Sequence, residues 1–493
     1  MKRLFRNIKL TILAVVLIMA SSCDGFLDIN DNPNAVLDPP LNTLMANNTT
    51  SLAFMMGSSL HLYSSIFVQQ FTGGSGPGIQ TVEYSRYNVT ETDMNNIWRT
   101  TIYAGILADL KYMITKAGTA NPRYSGIGKL MQAMVFQVTV DAWGAVPYDE
   151  ALQFLSNVKP TYESSASIYP KLIALIDEGI AEIKQPNSSN AILPGNDDLF
   201  YGGNAERWER FGNALKLRLY VHYYPTSATT ANTAIAAMLS ANAPLMRDNN
   251  DSFQMAFEGS ADRNNPIDQF EKRRQNQFFP SSTFISLMNG KNDPRRGTYI
   301  IQPAGTTAAA PGQQATTVNF NRMHTYLRGT VNGTSVITGY AGEAPQRILT
   351  FAEQNFILAE YHVRNGNLET AEGFFRAGIV ASMNAAGVGE SDRLTYLATQ
   401  APANVFVSAP ADALRRIIEE KYVANYGVPM EPWSDWRRTG FPSTVLPVSG
   451  ASLDQIPRVF PYSDIERVTN PEKTPARSSA QLTQPGVFWD PGL

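Results

Sequence analysis

Through most of residues 41–426 the apolar side chains of this chain return at every third or fourth position, segment after segment. That spacing commits the chain to helices that each bury one stripe. It governs residues 41–70, 98–114 (Trp98, Ile102, Leu107, Leu110, Ile114) and 127–142. Ile168, Leu172, Ile173, Ile176, Ile180 and Ile183 make the cleanest stripe, over 168–183. A helix over 205–223 closes before Pro225, two more fill 349–386, and the last strong one covers 412–426. Between them, 72–96, 248–280, 290–345 and 433–493 read as irregular, and connections of that length carry function or insertions.

Two of the helices pair in a recognisable way. The tetratricopeptide pattern places Leu and a small residue before an aromatic position in its first helix, and Ala-x3-aromatic in its second, so that the paired helices can approach. Leu358-Ala359-x2-His362 and Ala371-x3-Phe375 fit it, with Asn365-Gly366-Asn367 as the turn. Trp208-x2-Phe211-Gly212-x2-Leu215 matches the first helix of another unit whose second helix is displaced beyond Pro225. The fold class read from the chain is therefore mainly all-α: a tetratricopeptide-like helical-hairpin scaffold with long irregular loops.

The first 22 residues read differently. Lys2, Arg3, Arg6 and Lys9 precede an apolar run over 10–20 and then Ser21-Ser22-Cys23, the layout of a secretory signal peptide. Eleven apolar residues are too few for a transmembrane helix, which needs about 20. Cys23 is the only cysteine of the chain, so no intrachain disulfide can form and the fold must hold by packing. Its place directly after Met19-Ala20-Ser21-Ser22 is that of a bacterial lipidation site, which gives an unpaired exported thiol its reason. Acyl chains contribute about 0.8 kcal/mol per buried methylene, and more than one chain is needed for stable anchoring. The expected organisation is a lipoprotein signal peptide over 1–22, a lipid-anchored tether over 23–40, and one domain over 41–493 with loop insertions at about 248–345 and a coil-rich segment over 433–493. Four of the 40 Lys and Arg, and none of the 43 Asp and Glu, lie in the leader. The remainder is thus mildly acidic, which argues against a nucleic-acid partner.

Catalytic patterns fail one after another. The four histidines, His61, His222, His324 and His362, form no H-E-x-x-H and have no cysteine partner, so no zinc or other metal site is read. Gly73-Gly74-Ser75-Gly76-Pro77 misses G-x-S-x-G by a proline, and Gly126-x-Gly128-Lys129 lacks the spacing of a phosphate loop. Asp28-x-Asn30-x-Asn32 imitates the start of a calcium loop, but Pro33 and Pro39 stand where that loop needs Gly and Glu. Asp248, Asp251 and Asp262 read as solvated loop acids. No catalytic residue and no cofactor is nominated, although paired carboxylates for sugar hydrolysis leave no spacing signal.

Loop aromatics are the remaining candidates. Tyr84 and Tyr87 follow the Gly73–Gly78 turn; Phe278 and Phe279 sit beside Arg273, Arg274, Asn276 and Gln277; Tyr299 follows Asp293-Pro294-Arg295-Arg296. Rings next to Asn, Gln and Arg suit a sugar, whose C–H faces stack while its hydroxyls take hydrogen bonds. Tyr84, Tyr87, Arg273, Asn276, Phe278, Phe279 and Tyr299 are the expected ligand contacts.

An ordered series of motifs then points to a family. Cys23 is followed by Phe26-Leu27-Asp28, Asn32-Pro33-Asn34, Trp98-x4-Tyr103 and Asp141-x-Trp143-Gly144-x2-Pro147-Tyr148-x2-Ala151. Trp208-x5-Ala214-Leu215-Lys216-Leu217-Arg218, Asn292-Asp293-Pro294-Arg295, Glu419-Glu420-Lys421-Tyr422 and Trp433-x2-Trp436-Arg437-Arg438-Thr439-Gly440-x-Pro442 continue the series. In this order they resemble the SusD/RagB family of Bacteroidetes outer-membrane lipoproteins. The resemblance implies a non-enzymatic cell-surface protein that captures a nutrient, typically an oligosaccharide and sometimes a peptide. It also implies a SusC-like TonB-dependent barrel transporter as partner and the outer membrane as location. The motifs themselves read as structural, with 143–148 a helix exit and 433–442 a folded coil. A lipid-anchored glycoside hydrolase and a tetratricopeptide-type adaptor are the alternative readings.

Overall fold

The computed structural model describes residue 3 and residues 38–493, apart from 187, 189, 261 and 314–319. Cys23 and most of the expected tether lie outside the described residues. From Leu41 the chain is a succession of helices. The first stripe forms α1 (Leu41–Gly57) and α2 (Ser59–Phe67), where one helix was expected. Ser58 breaks it with a non-helical φ of −112° and ψ of −128°, and the preceding Gly57 runs against Pro266 and Gln346 with no room for a side chain.

The Trp98 stripe is carried by a wide π-turn over Asn96–Leu107, interrupted at Gly105, and then by α3 (Ala108–Ala117). Pro122 opens α4 (Pro122–Trp143), five residues before the expected start, at the first-turn position that tolerates a missing N–H. α5 (Ser165–Ile183) is capped by the Ser164 hydroxyl. A Cβ on Gly126 of α4 would stand 2.6 Å from the Gly179 carbonyl of α5. The glycine that imitated a phosphate loop is thus a helix-crossing point.

The two tetratricopeptide-like matches hold. α6 (Ala205–His222) is followed past Pro225 by α7 (Ala228–Ser240), and α10 (Phe351–Arg364) by α11 (Leu368–Ala385), with Gly366 at φ +74° in the turn. His362 stacks on Phe374 at 5.4 Å, filling the pattern's aromatic position as a packed ring. The remaining helices used below are α8 (Pro266–Arg273), α9 (Ser282–Gly290), α12 (Glu390–Gln400), α13 (Pro410–Ala424) and α14 (Glu431–Thr439). α14 corrects the coil expected over 433–442. Pro432 starts it, Gly440 at φ +74° ends it, and its buried face is so charged that apolar periodicity could not reveal it.

Among the described residues four two-stranded antiparallel ladders tie loops to this scaffold. β1 (Phe71–Gly73) pairs with β5 (Phe278–Pro280), β2 (Val146–Pro147) with β3 (Tyr162–Glu163), β4 (Phe253–Met255) with β8 (Gln346–Leu349), and β6 (Ile300–Ile301) with β7 (Arg322–Met323). Each is too short to show a two-residue alternation in sequence.

The family-like motifs meet in the centre. Trp98, Trp143, Phe460, Trp433 and Phe67 form a chain of ring contacts at 5.1–5.4 Å. Beside them lies an ion network with almost no solvent contact. Arg218 grips Glu353 with two contacts at 2.7 and 2.8 Å, Lys421 bridges Glu431 (2.7 Å) and Asp435 (3.0 Å), and Arg438 grips Glu360 and Asp435, each at 2.6 Å. Burial alone would raise the Glu360 carboxyl, yet Arg438 and Arg364 hold it down at about 2. Arg295 is clamped in the same way between Asp293 and Glu420. These motifs spell out the scaffold, as expected, and not a ligand site.

Candidate functional site

The β1/β5 ladder brings together two loops that lie 200 residues apart in sequence. Gly73 pairs with Phe278, and the Gly74 amide then donates to the Gln277 carbonyl at 2.9 Å. Neither glycine could carry a side chain. A Cβ on Gly73 would meet the Thr81 carbonyl at 1.9 Å, and one on Gly74 the Asn276 carbonyl at 2.1 Å. The exposed tip at Pro77 and Gly78, where φ is +72°, projects from this anchored base. The glycine-rich turn is therefore a rigid ledge built against 276–277.

On the opposing side, Asn276 takes a left-handed φ of +63° and accepts a hydrogen bond from Arg322. Arg322 also pairs with Glu271 at 3.0 Å and lies over the Phe279 ring at 5.3 Å. Burial lifts the Glu271 carboxyl to about 7 even though Arg328 and Arg322 stand beside it. A polar cleft of about 370 Å³ opens next to this cluster, lined by Asp262, Asn264, Gln269, Lys272, Arg273, Asn332 and Tyr340 among others. Arg273 is exposed and pairs with Asp262 at 2.6 Å, and Lys272 donates to the Tyr340 carbonyl at 2.6 Å. A second polar cleft, of about 460 Å³, lies between 87–92 and 452–482, where Glu91 and Arg467 pair at 2.7 Å.

The expected contacts separate into groups. Tyr84 is half-buried on the loop after the ledge; its hydroxyl donates to Asp93 at 3.1 Å and its ring packs on Tyr63 at 4.8 Å. Arg273 lines the first cleft, and the Asn276 carbonyl lies against Gly74 of the ledge. Phe278 and Phe279 are buried, the first against Phe270 and the second against Phe320, and they hold the face from beneath. Tyr87 is buried, with its hydroxyl accepting from the Val448 amide, and belongs to the second cleft. Tyr299 is fully enclosed, stacked on Tyr426 at 4.9 Å and tilted against Tyr326 at 4.3 Å. A ring with both faces taken offers nothing to a ligand, so Tyr299 is a core residue. The face is consequently more polar than the sequence promised.

Asp251 departs from expectation as well. It is buried and accepts from Arg247 at 3.1 Å. Lys272, Asn332 and Tyr340 escaped sequence reading, because they lie outside any aromatic cluster; the glycines flanking Tyr340 (Gly339 and Gly342) were the one available signal. Among the described residues no group of His, Cys, Asp and Glu could hold a metal ion, and no helix is long and apolar enough to cross a membrane.

A family model described as "Starch-binding associating with outer membrane" matches residues 33–463. The chain belongs to the SusD-like family. Solved structures agree in fold. A SusD/RagB family protein from Bacteroides thetaiotaomicron aligns with a TM-score of 0.77 at 19% identity, covering 92% of this chain and 99% of that one. A SusD homolog from Bacteroides uniformis gives 0.74 at 21%, covering 92% and 99%. A chitin-binding SusD homolog from Flavobacterium johnsoniae gives 0.72 at 19%, covering 90% and 99%. No curated protein matches the sequence.

Proposed function

We propose that this SusD-like protein is a lipid-anchored, surface-exposed binding protein that captures oligosaccharide on the face built by 74–86, 262–277 and 330–341. It hands the ligand to a SusC-like TonB-dependent barrel in the outer membrane, over whose mouth the body swings on the tether from Cys23 to about residue 40. The observation that carries the reading is the polar cleft of about 370 Å³ lined by Arg273, Lys272 and Asn332, with the locked glycine ledge fastened to the chain a few residues beyond Arg273. Amide, guanidinium and phenol groups there offer hydrogen bonds to hydroxyls without a reactive centre. The binding-only reading is supported by the cleft's carboxylates. Among the residues lining it, Asp262 is the one acid, and Arg273 holds it, whereas hydrolysis of a glycosidic bond ordinarily takes two. The chitin-binding relative supports a glycan as ligand class.

Three alanine variants test the site: Tyr84→Ala, Arg273→Ala and Asn332→Ala in protein lacking residues 1–23. Each removes a contact of about 1–3 kcal/mol, so affinity for the best oligosaccharide of a broad panel should fall about 5- to 150-fold by calorimetry. Arg273 is exposed, so its variant should unfold within about 0.5 kcal/mol of the parent. Parent-like affinity in all three would move the site elsewhere.

A further inference from the structure

A third cavity, of about 200 Å³, lies where the β4/β8 ladder meets the start of α10 and the ends of α11 and α13. It shares no lining residue with either polar cleft. Phe253 pairs with Leu349 in the apolar core and Gln254 with Arg347, and a register shift separates the two pairs. Such a bulge re-aims the side chains beyond it, and Gln254 and Arg347 both line the cavity. Arg347 is 8% exposed, lies over the Tyr326 ring at 3.7 Å and donates through Nη1 to the Tyr326 carbonyl at 3.0 Å. Among the described residues no carboxylate pairs with it; Nε is enclosed and unbonded, and Nη2 is unbonded without being enclosed. Two more buried donors line the same cavity, Ser252 and Thr350. Ser252 Oγ accepts from the Phe351 amide at 3.0 Å and Thr350 Oγ1 from the Glu353 amide at 3.1 Å. Among the described residues neither hydroxyl has an acceptor for its own proton.

Arginine does not shed its proton, so a buried guanidinium without a carboxylate is an uncompensated charge. Water in the cavity would take up the hydroxyl protons but not that charge. Among the residues lining the cavity there is no Asp or Glu. The helix ends that reach it do not discharge Arg347 either, because it bonds none of the last carbonyls of α11 or α13. A cation and two hydroxyl donors around one space, with no acid among them, make the chemistry of an oxyanion site. The volume sets the size of the guest. A water takes roughly 10–15 Å³ of such space, so the cavity has room for about 13–20 non-hydrogen atoms, well beyond a bare sulfate or phosphate. The rest of the polar lining is mostly amide: Asn250 and Asn384 are exposed at the rim, and Gln254 is half-buried. Amides suit hydroxyl groups, whereas the ammonium of an amino acid would find no acid here.

We propose that this cavity binds a sugar acid of about hexose size, its carboxylate or sulfate ester on Arg347 Nη2 and the Ser252 and Thr350 hydroxyls, its ring hydroxyls on the amide rim. The site is separate from the oligosaccharide face proposed above, and either can fail without the other.

The test is calorimetry on protein lacking residues 1–23 with glucuronate, galacturonate, glucose 6-sulfate, glucose and inorganic sulfate. The expected result is at least tenfold tighter binding of one sugar acid than of glucose, and the acid that binds best assigns the carboxylate or the sulfate form. The thermal unfolding midpoint should rise with the concentration of that acid. Arg347→Met has no ion pair to lose, so it should fold and erase the preference. Asn384→Asp sets a like charge at the exposed rim; it should weaken binding of the acid several-fold, by less as salt is added. Binding of an oligosaccharide at the polar cleft should not change in either variant. Glucose or inorganic sulfate binding as tightly as the sugar acids, or no binding of any of them, would overturn the inference and leave oligosaccharide capture standing. A preference intact in Arg347→Met would overturn it too. Should that variant fail to fold, parent-like affinity for the acid in Asn384→Asp would do the same.

Discussion

Arg438→Ala should destabilise the protein by about 3–5 kcal/mol, the usual consequence of stripping one partner from a buried ion pair. The Arg438 guanidinium has no solvent contact and bonds Glu360 through Nη1 and Nη2 and Asp435 through Nε and the same Nη2. Without it, Glu360 keeps Arg364 and Asp435 keeps Lys421, each carboxylate buried with half of its compensation. Arg438→Lys should recover part of the loss, since it restores the charge but not the planar fork. The pH dependence follows from Glu360. Its folded pKa of about 2 lies below the ordinary 4.5, so the stability it contributes is complete above pH 4.5 and lost as pH falls through about 2. That difference corresponds to about 3 kcal/mol. In Arg438→Ala the acid limb of a urea-unfolding series should move to higher pH. An unchanged denaturation midpoint and acid limb would show that the network is not the keystone of the scaffold.

The second large effect concerns location. Cys23→Ala should shift the protein from the membrane pellet to the soluble fraction and abolish ligand uptake by cells, while affinity measured in solution stays that of the parent. The physical reason is the size of the proposed anchor: at about 0.8 kcal/mol per buried methylene, two or more acyl chains would outweigh any surface contact the acidic body makes with lipid. Retention of the variant in the membrane fraction would mean that another element holds it there. Loss of affinity would mean that anchor and binding site are one device.

Helices were legible where burial is apolar. The isoleucine stripe of α5 was placed at 168–183 against an observed Ser165–Ile183, and the missing first turn belongs to the Ser164 cap. α14 is hidden in the sequence because four of its seven buried residues are the charged Glu431, Asp435, Arg437 and Arg438; charge inside a core carries no hydrophobic period, although Pro432 and Gly440 bracket the helix in plain view. The candidate face was half legible. Its chemistry could be read from Gly73, Gly74, Tyr84, Arg273 and Asn276, but their meeting depends on three-residue strands whose pairing spans some 200 positions. Tyr299 and Phe279 looked like Tyr84 in sequence. What separates them is the company of Tyr426 and Phe320, which only the fold assembles.

Hydrogen–deuterium exchange on protein lacking residues 1–23, with and without a saturating amount of the best-binding oligosaccharide of a broad panel, tests the account most directly. Glycan capture on the loop face predicts that amides in 74–86, 262–277 and 330–341 slow on binding while those of α10 and α11 do not change. Protection confined to α10 and α11, or a panel in which no glycan binds, would contradict it.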